Sequence, residues 1–200
     1  MHRAVTAWLM TAALVAGLIA GCGNQSGAVA FQSSDVTGAE FGRKFALHGV
    51  DGQPRSLTDF SGKVLVVFFG FTHCPDVCPT TMVKLAQVMK ALGAEADRVQ
   101  VLMVTLDPER DSADLLAQYT AGFDPRFSGL SGSPAEIAGA AREFRVIYQK
   151  QPGATPDSYS VDHTTGTYVF DPRGRLRLFV SGQQEAKSIE HDIRLLLTGT

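Results

Sequence analysis

The chain has little excess charge of either sign. Its 200 residues carry 18 basic and 20 acidic side chains, a formal net charge of −2. That balance excludes the basic footprint of a nucleic-acid binder and the polybasic face of a membrane-surface protein. No internal repeat is visible. Tryptophan is nearly missing, with Trp8 alone near the start, and cysteine is scarce, with Cys22, Cys74 and Cys78 the whole supply. What remains is ordinary: 44 % hydrophobic and 19 % charged residues suit one domain with a normal globular core, with or without a targeting segment.

A targeting segment is readable at the start. Arg3 precedes an uncharged, mostly apolar run over residues 4–20, which ends in Leu18-Ile19-Ala20-Gly21-Cys22. A cation, an apolar stretch and small residues before a cysteine fit a secretory signal. Ile19-Ala20-Gly21-Cys22 also resembles the bacterial lipobox, in which the cysteine is acylated and becomes the first residue. The rival reading is an uncleaved membrane anchor, for which the run is near the short limit. Both readings put the folded part outside the cytoplasm. The expected division is a lipoprotein signal peptide over 1–21, a flexible Gly-, Ser- and Ala-rich tether over 22–40 with lipid on Cys22, and one domain over 41–200. Cys74 and Cys78 then remain as a pair, free to be a disulfide, a redox couple or a metal site.

Within the domain, residues 45–54 predict a short strand and turn, with Asp51-Gly52 as the hairpin signal. Residues 64–71 form a continuous apolar, β-branched and aromatic run, which predicts a strand buried on both faces. Pro79 suits the first position of a helix whose apolar positions are Met82, Leu85, Ala86, Met89 and Leu92, ended by Gly93. A second apolar strand is expected over 99–106, making a strand–helix–strand unit with parallel strands. Further helices are expected over 111–119, from the capping box at Ser133-Pro134-Ala135-Glu136 to about residue 144, and over 185–197. Residues 150–162, with Pro152, Gly153 and Pro156, read as a loop. Residues 167–170 and 176–180 flank a turn and make a hairpin. This is the thioredoxin-like order of elements in an α/β fold, with extra N-terminal strands and an inserted helix.

In such a unit Cys74 and Asp107 lie just beyond the C-terminal ends of parallel strands, the edge where α/β sheets place their sites. If the strand after Thr165 runs antiparallel to 64–71, His163 meets the same edge. Pro79 is expected to push Cys78 out of helical geometry. Both cysteines would then sit on a loop at a helix N-terminus, where thiol pKa falls. A low pKa suits a redox thiol and a metal thiolate alike. The spacing of three residues, not two, departs from thioredoxin-type oxidoreductases, and two Cys with one His leave a structural zinc site one ligand short. Two thiolates select Cu(I), and an added imidazole makes Cu(II) tolerable. Asp107 and Asp111 stand either as supports around this site or as helix caps. His73 is near enough to be an adventitious ligand. His48 and His191 read as surface residues, and Met82, Met89 and Met103 as packing.

Three segments carry a family resemblance: Phe71-Thr72-His73-Cys74-Pro75-Asp76-Val77-Cys78-Pro79-Thr80, then Asp107-Pro108-Glu109-Arg110-Asp111, then Val161-Asp162-His163. Together they resemble the Sco/SenC proteins, over roughly residues 40–197. The resemblance implies a thioredoxin-like fold and copper, as Cu(I) or Cu(II), held by Cys74, Cys78 and His163. It implies a metallochaperone that helps assemble the dinuclear copper centre of cytochrome c oxidase subunit II, with thiol–disulfide reductase activity left open. Its partners would be that subunit or a related terminal oxidase, and other periplasmic copper carriers. The alternative is a thiol–disulfide oxidoreductase that keeps the subunit's copper-binding cysteines reduced, with Cys74 and Cys78 as its redox-active pair. Against it, residues 158–165 hold no proline where thioredoxin-like oxidoreductases place one. A peroxidase using Thr72 and Arg110 would leave Cys78 and His163 without a part.

Overall fold

The computed structural model describes residues 30–155 and 158–199. The chain divides into Met1–Ala30 and Phe31–Thr200, and all the described residues but Ala30 belong to the second unit. The expected signal peptide and Cys22 lie outside the described residues. Among those residues no helix is long and apolar enough to cross a membrane.

The centre is β4 (Val64–Gly70), whose seven residues are all buried, as its two-sided apolar sequence predicts. Helix α1 (Val77–Leu92) carries the chain over to β5 (Val99–Thr105), which pairs parallel with β4 from Val64↔Val99 to Gly70↔Thr105. Helix α2 (Ala113–Ala121) then leads to β6 (Ser128–Ser131), parallel to β5. Helix α3 (Pro134–Glu143) opens with the predicted capping box, in which Ser133 Oγ accepts from Glu136 N and the Glu136 carboxylate accepts from Ser133 N. A separate antiparallel pair follows, β7 (Tyr148–Gln151) with β8 (Ser160–His163). The hairpin of β9 (Thr167–Phe170) and β10 (Leu176–Val180) returns to the main sheet, β9 lying antiparallel to β4 with Phe68 opposite Thr167. Helix α4 (Ala186–Thr198) closes the fold, burying Ile189, Ile193, Leu196 and Leu197.

With β1 (Ser34–Asp35), β2 (Leu47–Gly49) and β3 (Pro54–Arg55), the eight strands of the sheet run β1-β10-β9-β4-β5-β6-β2-β3. This is the expected thioredoxin-like α/β fold with N-terminal additions. The extra helix α2 brings a strand with it. Sequence reading missed β6 because Ser-Gly-Leu-Ser is short and has no apolar alternation.

Three expectations need correction. Residues 31–40 are not tether: Ser34 and Asp35 pair with Phe179 and Leu178 of β10, and the buried Asp192 carboxylate accepts from Gln32 N at 2.8 Å and Ser33 N at 2.7 Å. Main-chain bonds leave no period in a Gly/Ser-rich sequence. Residues 150–162 are not one loop, since their two ends are strands joined in β7–β8. Finally, α1 begins at Val77 with Asp76 as its N-cap, so Pro79 is the third helical residue and Cys78 is inside the first turn. The first N–H groups of a helix have no partner inside it, so proline is tolerated there.

Candidate metal centre

The geometry of the site starts at the C-terminal end of β4. Gly70 is required there: a Cβ would stand 2.9 Å from Cys78 Sγ and 2.6 Å from the Phe68 ring. The backbone thus passes close under the helix and lets Cys78 sink to 0 % exposure. Both cysteines are free thiols, with Cys74 half-buried at the mouth. The Cys78 backbone N–H points at Cys74 Sγ, 3.4 Å away, so the thiols share one turn.

Across from Cys78, His163 at the end of β8 brings its Nε2 to 3.7 Å from Cys78 Sγ. The imidazole stands edge-on to Phe68 and Phe71, each with centroids 6.2 Å away. Its Nδ1 lies 3.0 Å from the Thr164 carbonyl, which can only accept, so Nδ1 carries the proton. Burial holds the His163 pKa below its ordinary value, keeping the ring neutral with the Nε2 lone pair toward the sulfur. Burial acts on Cys78 in the opposite sense and pushes its thiol well up, with a backbone hydrogen bond from Phe71 only partly opposing it. The expectation of a pKa lowered by the helix N-terminus is therefore overturned for Cys78. A dipole contribution of the first turn cannot match full desolvation of a thiolate. Among the described residues no three His, Cys, Asp or Glu side chains already enclose a metal-sized space.

The 107–111 loop holds both halves of this arrangement. Asp111, buried, accepts from Thr72 Oγ1 at 2.6 Å, Thr72 N at 3.0 Å and Thr105 Oγ1 at 2.6 Å, which fixes the turn leading into Cys74. Asp107, also buried, accepts from Arg110 Nε at 2.5 Å and from Tyr159 Oη at 2.6 Å. The Arg110 guanidinium lies 3.6 Å from the Tyr159 ring centroid and donates to the Tyr159 carbonyl at 2.8 Å. Tyr159 immediately precedes β8, so this clamp fixes the strand that delivers His163. Neither aspartate caps α2, whose N-cap is Ser112. Their bonds run to the turn before Cys74 and to Tyr159, not to the first turn of α2.

His73 stands apart from the thiol–imidazole contact. Its Nδ1 lies 3.0 Å from Thr72 Oγ1 and 3.6 Å from Asp111 Oδ1, and its side chain is half exposed. Sequence reading gave no part to Gly70, Thr105 or Tyr159. The glycine at the end of a buried strand was a usable signal, whereas Tyr159 lay in a stretch without pattern.

A soft sulfur pair, one of them deeply buried, with a neutral imidazole aimed at it, can bind a soft metal ion or exchange with a disulfide. Residues 33–198 match the family model described as SCO1/SenC. The mouse protein named SCO2 homolog, mitochondrial, is 41 % identical over 152 residues, which span 75 % of this chain and 60 % of that protein. The solved structure of Bradyrhizobium japonicum ScoI with copper bound is 36 % identical, with a TM-score of 0.72, covering 80 % of this chain and all of that one. Apo Sco1 from Thermus thermophilus is 40 % identical with a TM-score of 0.76, covering 84 % of this chain and 98 % of that one.

Proposed function

Because this chain belongs to the SCO1/SenC family, we propose that it carries copper, binding it through Cys74, Cys78 and His163. The observation that carries the reading is the contact between the buried Cys78 Sγ and His163 Nε2, two residues 85 apart in sequence. The copper-bound Bradyrhizobium relative supports the same cargo. Copper is the substrate here, not a resident cofactor. Its uptake as a dithiolate releases two thiol protons, and the proton on Cys78 is held tightly by burial. A neutral His163 needs to lose none. Two thiolates with a neutral imidazole give −1 with Cu(I) and zero with Cu(II), so one donor set tolerates both states.

The copper would be delivered to the dinuclear centre of cytochrome c oxidase subunit II, or of a related terminal oxidase, after receipt from other periplasmic carriers. Residues 1–21 would act as a lipoprotein signal and Cys22 would carry the lipid. The domain would then be held on the periplasmic face of a bacterial membrane, with a tether shorter than first expected, ending near residue 30. A second reading uses the same pair as redox thiols, which lie in one turn with the Cys78 N–H 3.4 Å from Cys74 Sγ. In that reading His163 has no chemical part.

The test is to load the full chain with copper in detergent. One tightly held equivalent is expected, with a Cu(II)–thiolate absorption band that Cys74→Ala removes. Unchanged copper affinity in the Cys74→Ala, Cys78→Ala double variant would sink the carrier reading. Thiol–disulfide exchange indifferent to His163→Ala, with no copper retained, would install the reductase instead.

A further inference from the structure

Strands β7 and β8 form a two-stranded sheet of their own, with no ladder to the eight-stranded sheet among the described residues. A lone hairpin of this size is marginal in water and needs a hold on something larger. Burial supplies little of it, since Val161 is the one fully buried residue of the two strands. The polar hold gathers on Tyr159, half-buried just before β8 and four residues ahead of His163. The Tyr159 hydroxyl donates to the Asp107 carboxylate at 2.6 Å, and its carbonyl accepts from Arg110 Nη1 at 2.8 Å. Two cations meet its ring, the Arg110 guanidinium at 3.6 Å and Lys150 Nζ at 4.7 Å from the centroid. Lys150 in turn pairs with Glu109 at 2.6 Å. Asp107, Glu109 and Arg110 follow directly on β5 of the main sheet, and Asp107 is itself 0 % exposed. His163 therefore reaches Cys78 on a strand whose footing is one aromatic side chain.

We propose that Tyr159 is a positioning residue for His163 and, through it, decides how firmly the domain holds Cu(II) as against Cu(I). This rests on the copper reading given above. Thiolate pairs select Cu(I), whereas imidazole suits Cu(II). The two sulfurs are placed by α1 and the turn before it, with the Cys78 N–H 3.4 Å from Cys74 Sγ. The imidazole comes from the hairpin. Phe68 and Phe71 wall its ring edge-on, and its Nδ1 is tied to the Thr164 carbonyl next to it in the chain. Those contacts orient the ring but do not hold the strand against the domain. With Tyr159 seated, three donors converge; without it the dithiolate remains and the imidazole is a loosely held donor. Cu(I) keeps its preferred ligands in both arrangements, and Cu(II) loses one.

The test uses Tyr159→Leu in the full chain, a change at a half-buried position outside the main sheet. In the copper-free protein, amide hydrogen exchange should quicken across β7 and β8 and stay unchanged in β4 and β5. Cu(II) affinity, measured by competition with a chelator, should fall about ten-fold, while Cu(I) affinity stays close to the wild-type value. Nitrogen hyperfine structure in the Cu(II) electron paramagnetic resonance spectrum should weaken with it. In a His163→Ala background the same substitution should cost no further Cu(II) affinity, because a residue that acts through His163 has nothing left to position. Tyr159→Phe, which keeps the ring beneath Arg110, should move every quantity the same way by less. A merely structural role would instead lower Cu(I) and Cu(II) affinity together, in both backgrounds. That result, or unchanged hairpin exchange and Cu(II) affinity in both Tyr159 variants, overturns this inference alone. A wild-type chain that takes up no copper overturns the carrier reading and this inference with it.

Discussion

At Cys78 two influences act on one sulfur, and their sizes decide the outcome. The first turn of a helix lowers a thiol pKa by a modest amount, whereas 0 % exposure removes the solvation that a thiolate needs. Burial wins. The identities and spacing of Cys74, Cys78 and His163 were readable from three motifs, but this ordering was not, since it depends on how far Gly70 lets the helix settle on the sheet. His163 shows the same effect in the other direction. Its folded pKa lies below the ordinary 6.5, so the unfolded chain binds a proton that the folded chain resists. That contribution to stability is complete above pH 6.5 and is lost as the pH falls from 6.5 toward the depressed folded value. Urea midpoints of the metal-free protein should therefore decline between about pH 7 and pH 5, and His163→Gln should decline less over that window. Parallel declines in the two proteins would contradict a buried neutral imidazole.

Among the elements, the 107–111 loop is the one that joins the two halves of the site. Asp111 ties down the turn before Cys74, and Asp107 with Arg110 clamps Tyr159 ahead of β8. Asp111→Ala strands three donors in a buried place and should cost about 3 kcal/mol by urea titration. Its Cys74 should also react faster with a thiol reagent, because the turn that carries it loses its hold. A cost below about 1 kcal/mol would mean that the three donors find other partners and that the carboxylate does not hold the turn. The long buried strands and the α3 capping box were legible because each depends on local chemistry. Strands β6, β7 and β8 were not, because four-residue polar strands are held by ladder partners distant in sequence. The start of α1 was misplaced for a related reason. Proline is allowed anywhere in a first turn, so Pro79 marked the helix without marking its first residue.

Across the whole molecule, the thioredoxin-like order could be read because the two long parallel strands, the helix between them, the β9–β10 hairpin and α4 each carry a local signal. The N-terminal approach could not, because it depends on a two-residue pairing with β10 and on one buried side chain. Asp192, 1 % exposed, receives two main-chain N–H groups from residues 32 and 33. Asp192→Ala should free that segment and lower stability by about 2 kcal/mol, read as faster hydrogen exchange at residues 32–36 with the central strands unchanged. Exchange rates at those amides equal to wild type would show that β1 holds without the carboxylate. Beyond that anchor point, both margins of the eight-stranded sheet end in strands only two residues long, Ser34–Asp35 and Pro54–Arg55. Two residues offer too short a row of free N–H and C=O groups to recruit another chain, and Pro54 has no N–H to offer. Among the described residues, the two outer edges of the eight-stranded sheet therefore offer crowded copies no template for strand-by-strand growth.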